Sequence, residues 1–261
     1  MAEPCLPDRR GTPLRLLQFT DMHLCADATG RVRGVATRAT FERCLAHARA
    51  SHQPADALLL TGDLVQDDAR AYRVVSELLA LEPVAVHCLP GNHDLPQDMP
   101  ALLDRRPFDH SPVLRYGDWT LVQLDSSVRG RHQGQIDPEC LGFLDDTLRR
   151  FADTHALVIL HHQPVPVGSA WLDAIGLANG PSLLGVIARH DNVRGLLWGH
   201  VHQAFDGMRD GIALMGTPST CFQFVPRRDD MAVDDCPPGY RWLHLYPDGR
   251  IDSQVVWVAE A

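Results

Sequence analysis

Apolar and polar positions along this chain come in blocks, with short unbroken apolar runs separated by stretches of helical spacing. Leu14 to Phe19 is an apolar run that predicts a buried strand ending at Thr20-Asp21. Thr37 to Ser51 then puts Phe41, Cys44, Leu45 and Ala48 on one helical face. Ala57 to Leu60 predicts the next strand, which ends in Thr61-Gly62-Asp63. Asp67 or Asp68 is placed to cap a helix whose inner face is Tyr72, Val75, Leu78 and Leu79. Val84 to Leu89 is a third strand, stopped by Pro90-Gly91. Strand, helix, strand, helix, strand is the signature of a parallel sheet with right-handed crossovers.

The second half repeats the theme less regularly. Thr120 to Leu124 predicts a strand ending at Asp125-Ser126, and Asp137-Pro138 starts a helix with a cap followed by proline. That helix buries Leu141, Leu144, Leu148 and Phe151. His155 to Leu160 is a strand delivering His161-His162, and Val193 to Trp198 delivers Gly199-His200. Ile212 to Met215 is a further strand. Arg241 to Tyr246 and Ile251 to Val258 flank Pro247-Asp248-Gly249 as a hairpin. Two halves with a late antiparallel component predict an α/β fold of two packed sheets with helices outside. No linker or repeat divides the chain, so residues 1–261 are expected to form one domain. Its segment 221–261 carries the hairpin and either caps the site or joins subunits, a homodimer being one such form.

Composition narrows the class. At 45% hydrophobic and 22% charged residues the chain is an ordinary globular protein. A net charge of −9 argues against a broad basic surface for long nucleic acids. Arginine pairs such as Arg105-Arg106, Arg149-Arg150 and Arg227-Arg228 are dispersed among acidic residues, which also speaks against a nuclease. Every basic residue is arginine, so Schiff-base chemistry and a P-loop lysine are excluded. Met1 to Pro13 has no apolar core of a signal peptide, and no apolar stretch reaches the roughly 18 residues needed to span a bilayer. Seven scattered cysteines, an odd number, fit reduced thiols and a cytoplasmic location. Cys25, two residues after His23, is read as a small apolar residue rather than a soft metal ligand.

Five fragments concentrate the chemistry, each at the end of an apolar run. They are Asp21-Met22-His23, Gly62-Asp63, Gly91-Asn92-His93-Asp94, His161-His162 and Gly199-His200-Val201-His202. Imidazoles, carboxylates and one amide suit borderline divalent metals. Period-two alternation would put both ligands of Asp-x-His, and both of His-x-His, on one side of an extended chain. Asp63 alone reads equally as a turn cap. Asp94 is placed to orient an imidazole. His47, His52, His87 and His190 are assigned to packing or surface.

These residues resemble the calcineurin-like metallophosphoesterases over essentially the whole chain, most closely the bacterial class III 3′,5′-cyclic AMP phosphodiesterases. The narrower likeness rests on His161-His162-Gln163-Pro164, Trp171-Leu172-Asp173, Gly199 to Gln203, Thr217 to Cys221 with Gln223-Phe224, and Pro238 to Arg241. The resemblance implies a four-layer α-β-β-α sandwich with two mixed sheets. It places one metal on Asp21, His23, Asp63 and His202. A second falls to Asp63, Asn92, His161 and His200, with Asp63 bridging. His93 lies outside the metals, beside the phosphate and leaving group, and is the implied catalytic residue. His23, Asp63, Asn92, His93 and His202 are implied substrate contacts, with Asp94 and His162 in support. Trp171-Leu172-Asp173 is read as a lid over a nucleobase in preference to core packing. Two departures stand out. Gly34-Val35-Ala36-Thr37 lacks the relatives' asparagine, and Trp198 stands where many have cysteine.

Two divalent ions, two carboxylates and a bridging hydroxide sum to about +1, which suits a phosphodiester monoanion. The expected reaction is hydrolysis of 3′,5′-cyclic AMP to 5′-AMP by that hydroxide, with His93 protonating the leaving oxygen. The metals are Fe(II), Mn(II) or Zn(II); no tyrosine in a ligand motif points to tyrosinate–iron chemistry. The alternatives are a broader phosphodiesterase acting on 2′,3′-cyclic nucleotides or glycerophosphodiesters, and a non-catalytic scaffold of the same fold.

Overall fold

The architecture follows from strands that are apolar on both faces. A computed structural model describes residues 11–52 and 54–260. Cys5, and Met1 to Arg10 of the leader reading, lie outside the described residues. β1 (Leu14–Phe19) is followed by a small hairpin, β2 (Arg31–Val32) and β3 (Val35–Ala36), and then helix α1 (Thr37–Ser51). β4 (Ala57–Thr61), α2 (Tyr72–Leu79), β5 (Ala85–Leu89), α3 (Met99–Leu102) and β6 (Phe108–Asp109) complete the first half. The second runs β7 (Val113–Tyr116), β8 (Trp119–Leu124), α4 (Pro138–Arg150), β9 (His155–Leu160), α5 (Ala170–Asp173) and α6 (Gly180–Ile187). It continues through β10 (Val193–Trp198), β11 (Phe205–Arg209) and β12 (Ile212–Gly216). β13 (Gln223–Phe224) pairs with β14 (Val233–Asp234), and the hairpin β15 (Gly239–Leu245) and β16 (Ile251–Trp257) ends the fold.

The first sheet has the order β16-β15-β1-β4-β5-β6 and the second β11-β12-β10-β9-β8-β7. Each has a parallel centre and antiparallel pairing towards an edge, so both are mixed. Three buried clusters correspond to three layer interfaces. Leu16, Leu59, Leu121, Ile159 and Leu197 meet between the sheets. On the neighbouring positions, Leu17, Phe19, Leu58 and Leu60 pack outward on Phe41, Leu45 and Val75 of α1 and α2. Val122, Val158, Leu160 and Leu196 pack likewise on Leu144 and Leu148 of α4 and Leu183 of α6. This is the expected α-β-β-α sandwich. Truncating a between-sheet residue, Leu59→Ala, should cost about 2–5 kcal/mol.

Helix starts follow local chemistry. Asp137 accepts a hydrogen bond from the Cys140 N–H ahead of Pro138, and Asp68 accepts one from Arg70 N–H at the 3-10 turn Ala69–Ala71. Ala36 leaves α1 without a side-chain cap. In α2 Tyr72, Val74, Val75 and Leu79 are buried, and Leu78 packs partly buried against the same core. β11 and α6 were not expected. The first is an edge strand with mostly exposed residues, and the second, GPSLLGVI, has no polar face to mark a helical period.

A buried arginine also ties the sheets together. Arg241 on β15 is fully buried, and its Nε donates to Thr217 Oγ1 at 3.1 Å. Nη1 donates to Asp206 Oδ1 and Ser253 Oγ, both at 2.8 Å, and Nη2 to the Gly216 and Phe205 carbonyls. Thr217 donates in turn to Gln18 Oε1, and Gln18 Nε2 donates to Thr61 Oγ1 and the Trp198 carbonyl. The chain of bonds thus ends under the strand termini that carry Asp63 and His200.

Candidate metal centre

Three neighbouring strands of the first sheet, β1, β4 and β5, end beside two neighbours of the second, β9 and β10. The five motifs leave from these ends and are stitched together. Asp21 N–H donates to Gly62 O, His23 N–H to Asp63 O, and Gly199 N–H to His161 O. The first and last motifs are not extended, so period-two alternation does not set where their side chains point. Asp21, His23, Asp63, His200 and His202 all have positive φ, between 46° and 65°. Such left-handed positions are uncommon outside glycine, and Asp and His tolerate them better than most residues. A left-handed residue turns the chain sharply, so each side chain is aimed singly instead of by strand alternation. Close approach also demands glycine: a Cβ on Gly199 would lie 2.0 Å from Thr20 Oγ1, and one on Gly62 (φ +96°) 2.3 Å from His161 Nδ1.

The side chains converge in a buried volume. His23 Nε2 and His202 Nε2 face each other at 3.1 Å, and His202 Nε2 is 3.2 Å from Asp21 Oδ1. Asp63 Oδ2 lies 3.4 Å from His161 Nε2 and 3.8 Å from His23 Nε2, near enough for attraction but outside hydrogen-bond geometry at His161. Triplets of ligand atoms within 4.8 Å of one another are Asp21, His23 and His202; Asp21, Asp63 and His161; His23, Asp63 and His93; and His161, His162 and His200. Asp63 belongs to triplets on both sides, the position a shared carboxylate needs.

The far sides of these groups are already committed. His161 Nδ1 donates to Thr61 O at 2.8 Å and His202 Nδ1 to Phe222 O at 2.7 Å, so each presents Nε2 inward. Asp21 Oδ2 accepts from Thr20 Oγ1 and His200 N–H, and Asp63 Oδ1 accepts from His93 N–H. What remains inward is unsatisfied: Asp21 Oδ1, Asn92 Oδ1, His161 Nε2 and His200 Nε2 are buried without a hydrogen-bond partner. Buried polar atoms left unpaired are costly, and here two oxygens and two imidazole nitrogens have no hydrogen bond of their own. The donor set fits divalent cations.

The electrostatics reflect this crowding. Burial opposes ionisation of Asp21 and Asp63, but the surrounding imidazoles hold both carboxyls below their usual range, Asp63 well below. Burial likewise disfavours charge on His161, yet Asp63 and Asp21 outweigh it and lift the imidazole to about 9. His23, dominated by burial, falls to about 4, and His200 lies well below its ordinary value.

Not every expected residue faces inward. Asp94 does not orient an imidazole. Its oxygens accept from the Gly91, Leu64 and Val65 amides and from Tyr72 Oη, clasping the turn that carries Asp63. Burial, then the charge of Asp63, raises its carboxyl to about 7. His162 has both ring nitrogens engaged, with Ser126 Oγ at 2.8 Å and His132 O at 3.0 Å, so neither is free for a cation. Cys25 is half-buried, with Sγ 3.9 Å from His23 O, and belongs to none of the triplets.

His93 stands at the mouth of the cluster. Its Nδ1 contacts Asp67 Oδ2 at 3.0 Å and Gln66 Nε2 at 2.9 Å, and its ring is 5.1 Å from that of His23. Asp67, expected only as a helix cap, has φ +53° and turns its carboxylate to His93 instead. A cavity of about 380 Å³ opens above the cluster, lined by His23, Asp63, Asn92, His93, His200 and His202. Trp171 lines it as well, while Leu172 is fully buried and Asp173 accepts from Val167 and Gly168 N–H. The lid and core readings of that tripeptide therefore apply to different residues. Arg33, His132 and Phe222 also line the cavity, and nothing in their local sequence signals it. A larger depression of about 800 Å³ beside Arg70 and Arg73 contains none of the converging ligands.

Comparison with known proteins agrees with this geometry. Residues 14–204 match the calcineurin-like phosphoesterase family. The chain is 36% identical over 250 residues to the 3′,5′-cyclic adenosine monophosphate phosphodiesterase CpdA of Haemophilus influenzae, covering 95% of this chain and 91% of that protein. It is 38% identical over 245 residues to the protein of the same name in Vibrio vulnificus, covering 93% and 89%. Its fold is similar to that of a dimetal phosphatase from Danio rerio, with TM-score 0.64, 18% identity, and 95% and 100% of the two chains covered.

Proposed function

Because the chain belongs to the calcineurin-like phosphoesterase family, we propose that it is a two-metal phosphodiesterase that hydrolyses 3′,5′-cyclic AMP to 5′-AMP. One observation carries this reading. Buried carboxylate, amide and imidazole ligand atoms gather without hydrogen-bond partners at the ends of five strands. Asp21, His23, Asp63 and His202 would hold one ion. Asp63, Asn92, His161 and His200 would hold the other. When bound, such ions supply Lewis acidity to a phosphoryl oxygen and lower the pKa of a coordinated water from about 15.7 towards 7. Fe(II), Mn(II) and Zn(II) all suit this donor set.

The chain's own groups do the rest. The Thr61 and Phe222 carbonyls fix the tautomers of His161 and His202. Trp171, Phe222 and Phe224 wall the cavity and exclude water from one side. The reaction forms a bond from water oxygen to phosphorus and breaks the bond to O3′. The departing O3′ needs a proton, and His93 is the group placed to give it. Asp67 holds the Nδ1 side, leaving Nε2 to carry the proton across. A mere scaffold would not need His93 and Asp67 in this arrangement. We also read the chain as one domain and assign it to the cytoplasm. Among the described residues no helix is long and apolar enough to cross a membrane.

One feature favours the broader-phosphodiesterase reading. A second cavity of about 550 Å³, bearing Arg129 and Arg131, shares Asn92, His93 and His132 with the first. It leaves room for a second substituent on phosphorus, as in glycerophosphodiesters. The test is steady-state hydrolysis of cyclic AMP by manganese-loaded protein beside bis(p-nitrophenyl) phosphate, a glycerophosphodiester and an Asp63→Asn variant. Cyclic AMP turnover that exceeds the other diesters and disappears in the variant is expected. Turnover of the other diesters alone would remove cyclic AMP as the substrate.

A further inference from the structure

We infer that Arg33 and Trp171, with Phe222 and Phe224 beneath them, form a nucleobase subsite beside the metal centre. This rests on the cyclic-nucleotide reading above and names the part of the ligand that the metal centre does not hold.

Phe222 and Phe224 stand edge to face, with ring centroids 5.4 Å apart, and Trp171 meets Phe224 at 4.7 Å and 88°. All three line the same cavity as His93 and Asn92. Aromatic faces are the means by which proteins take up a base regardless of its edge. Above this floor lies the guanidinium of Arg33, 5.7 Å from the Phe222 centroid and 5.9 Å from that of Phe224. A guanidinium held over aromatic rings marks where a further flat, electron-rich ring can be held.

Two further features point to a ligand. The indole Nε1 of Trp171 is buried and has no hydrogen-bond partner. It is a donor awaiting an acceptor, and purine ring nitrogens are acceptors. Arg33 sits at the tip of the β2–β3 hairpin, a two-residue loop with φ +49° at Arg33 and +84° at Gly34. Loops of this kind favour Asn or Asp before Gly, so arginine there runs against local preference. Strain kept at a cavity mouth is a mark of function. Val32, Ile175 and Met231 add apolar surface to the same cavity, as a base slot requires.

The test compares equilibrium binding of 5′-AMP and ribose 5-phosphate to manganese-loaded protein, because the two differ only in the base. Arg33→Gly removes the guanidinium while fitting the turn, and Trp171→Phe keeps an aromatic ring but loses the N–H. Wild type should prefer 5′-AMP by about 10- to 100-fold, the scale of one stacked base. Arg33→Gly should cut that preference at least about fivefold, and Trp171→Phe should lower it too. A wild type that binds both ligands alike, or variants that keep the full preference, would overturn the subsite. If the preference holds but wild type does not turn over cyclic AMP, the activity reading fails and the subsite stands.

Discussion

Two polar clusters lie buried near the same strand ends, and they are built on opposite principles. Around Arg241 every guanidinium N–H has an acceptor, and the bonds continue through Thr217 and Gln18 to Thr61 and the Trp198 carbonyl. A short step away, Asp21 Oδ1, Asn92 Oδ1, His161 Nε2 and His200 Nε2 are equally buried and unpaired. The first cluster completes itself, so it serves the fold. The second is completed only by something from outside, so it serves a ligand. Where a buried polar group finds its partner therefore distinguishes structure from function more sharply than residue type does.

Breaking the second cluster should give the largest effect. Asp63→Asn keeps the shape but removes a carboxylate shared by both sides, and phosphodiester hydrolysis should fall by more than about 10²-fold, since groups that merely orient metal ligands are worth 10–100-fold. Loss of bound manganese, measured by elemental analysis, should accompany it while the unfolding temperature holds or rises.

His93→Ala, at the edge of the same cluster, should keep metal and lower kcat by about 10²–10⁴-fold. A leaving group that needs no proton, p-nitrophenolate, should recover much of that loss. Equal losses on both substrates would deny His93 the proton-donor role.

The Arg241 cluster should respond in the other currency. Arg241→Leu takes the guanidinium donor from the Phe205 and Gly216 carbonyls, costing on the order of 3 kcal/mol at about 1–3 kcal/mol for each group left unsatisfied. Calorimetry should show this as a drop in Tm of roughly 6–12 °C. Folded variant should still bind metal. Loss of metal without loss of stability would mean the two clusters are not separable.

The smallest effect is graded by pH. With no cation present, His161 holds its proton up to about 9, so at pH 7 a cation must displace it. Metal affinity should therefore rise by up to about tenfold per pH unit towards pH 9 and flatten above it. In the metal-free protein the raised value also contributes stability that is complete below about 6.5 and fades as pH climbs through 9. The Arg241 cluster contains no imidazole and adds nothing to this slope. Calorimetric titration in buffers of different ionisation enthalpy would count the released proton.

Much of this was legible in the sequence, for reasons that differ by residue. β1, α1, β9 and β10 match their predicted limits because apolar runs bounded by turn chemistry leave little choice. The motif residues declared themselves by type and order. Their aim did not, because left-handed backbone at Asp21, His23, His200 and His202 replaces strand alternation. Asp94 misled because its value lies in three backbone amides that only the folded turn presents. Asp67, Arg33 and His132 gain their roles from tertiary neighbours 26 or more residues away, which no local pattern encodes.

Two divalent ions should complete the unpaired cluster. Titrating metal-free protein with manganese while recording electron paramagnetic resonance tests it most directly. Two equivalents per chain and an exchange-coupled spectrum are expected, as for ions about 3.5–4 Å apart, with cyclic AMP hydrolysis appearing as the pair fills. One equivalent or none, or full hydrolysis in the presence of a chelator, would contradict it.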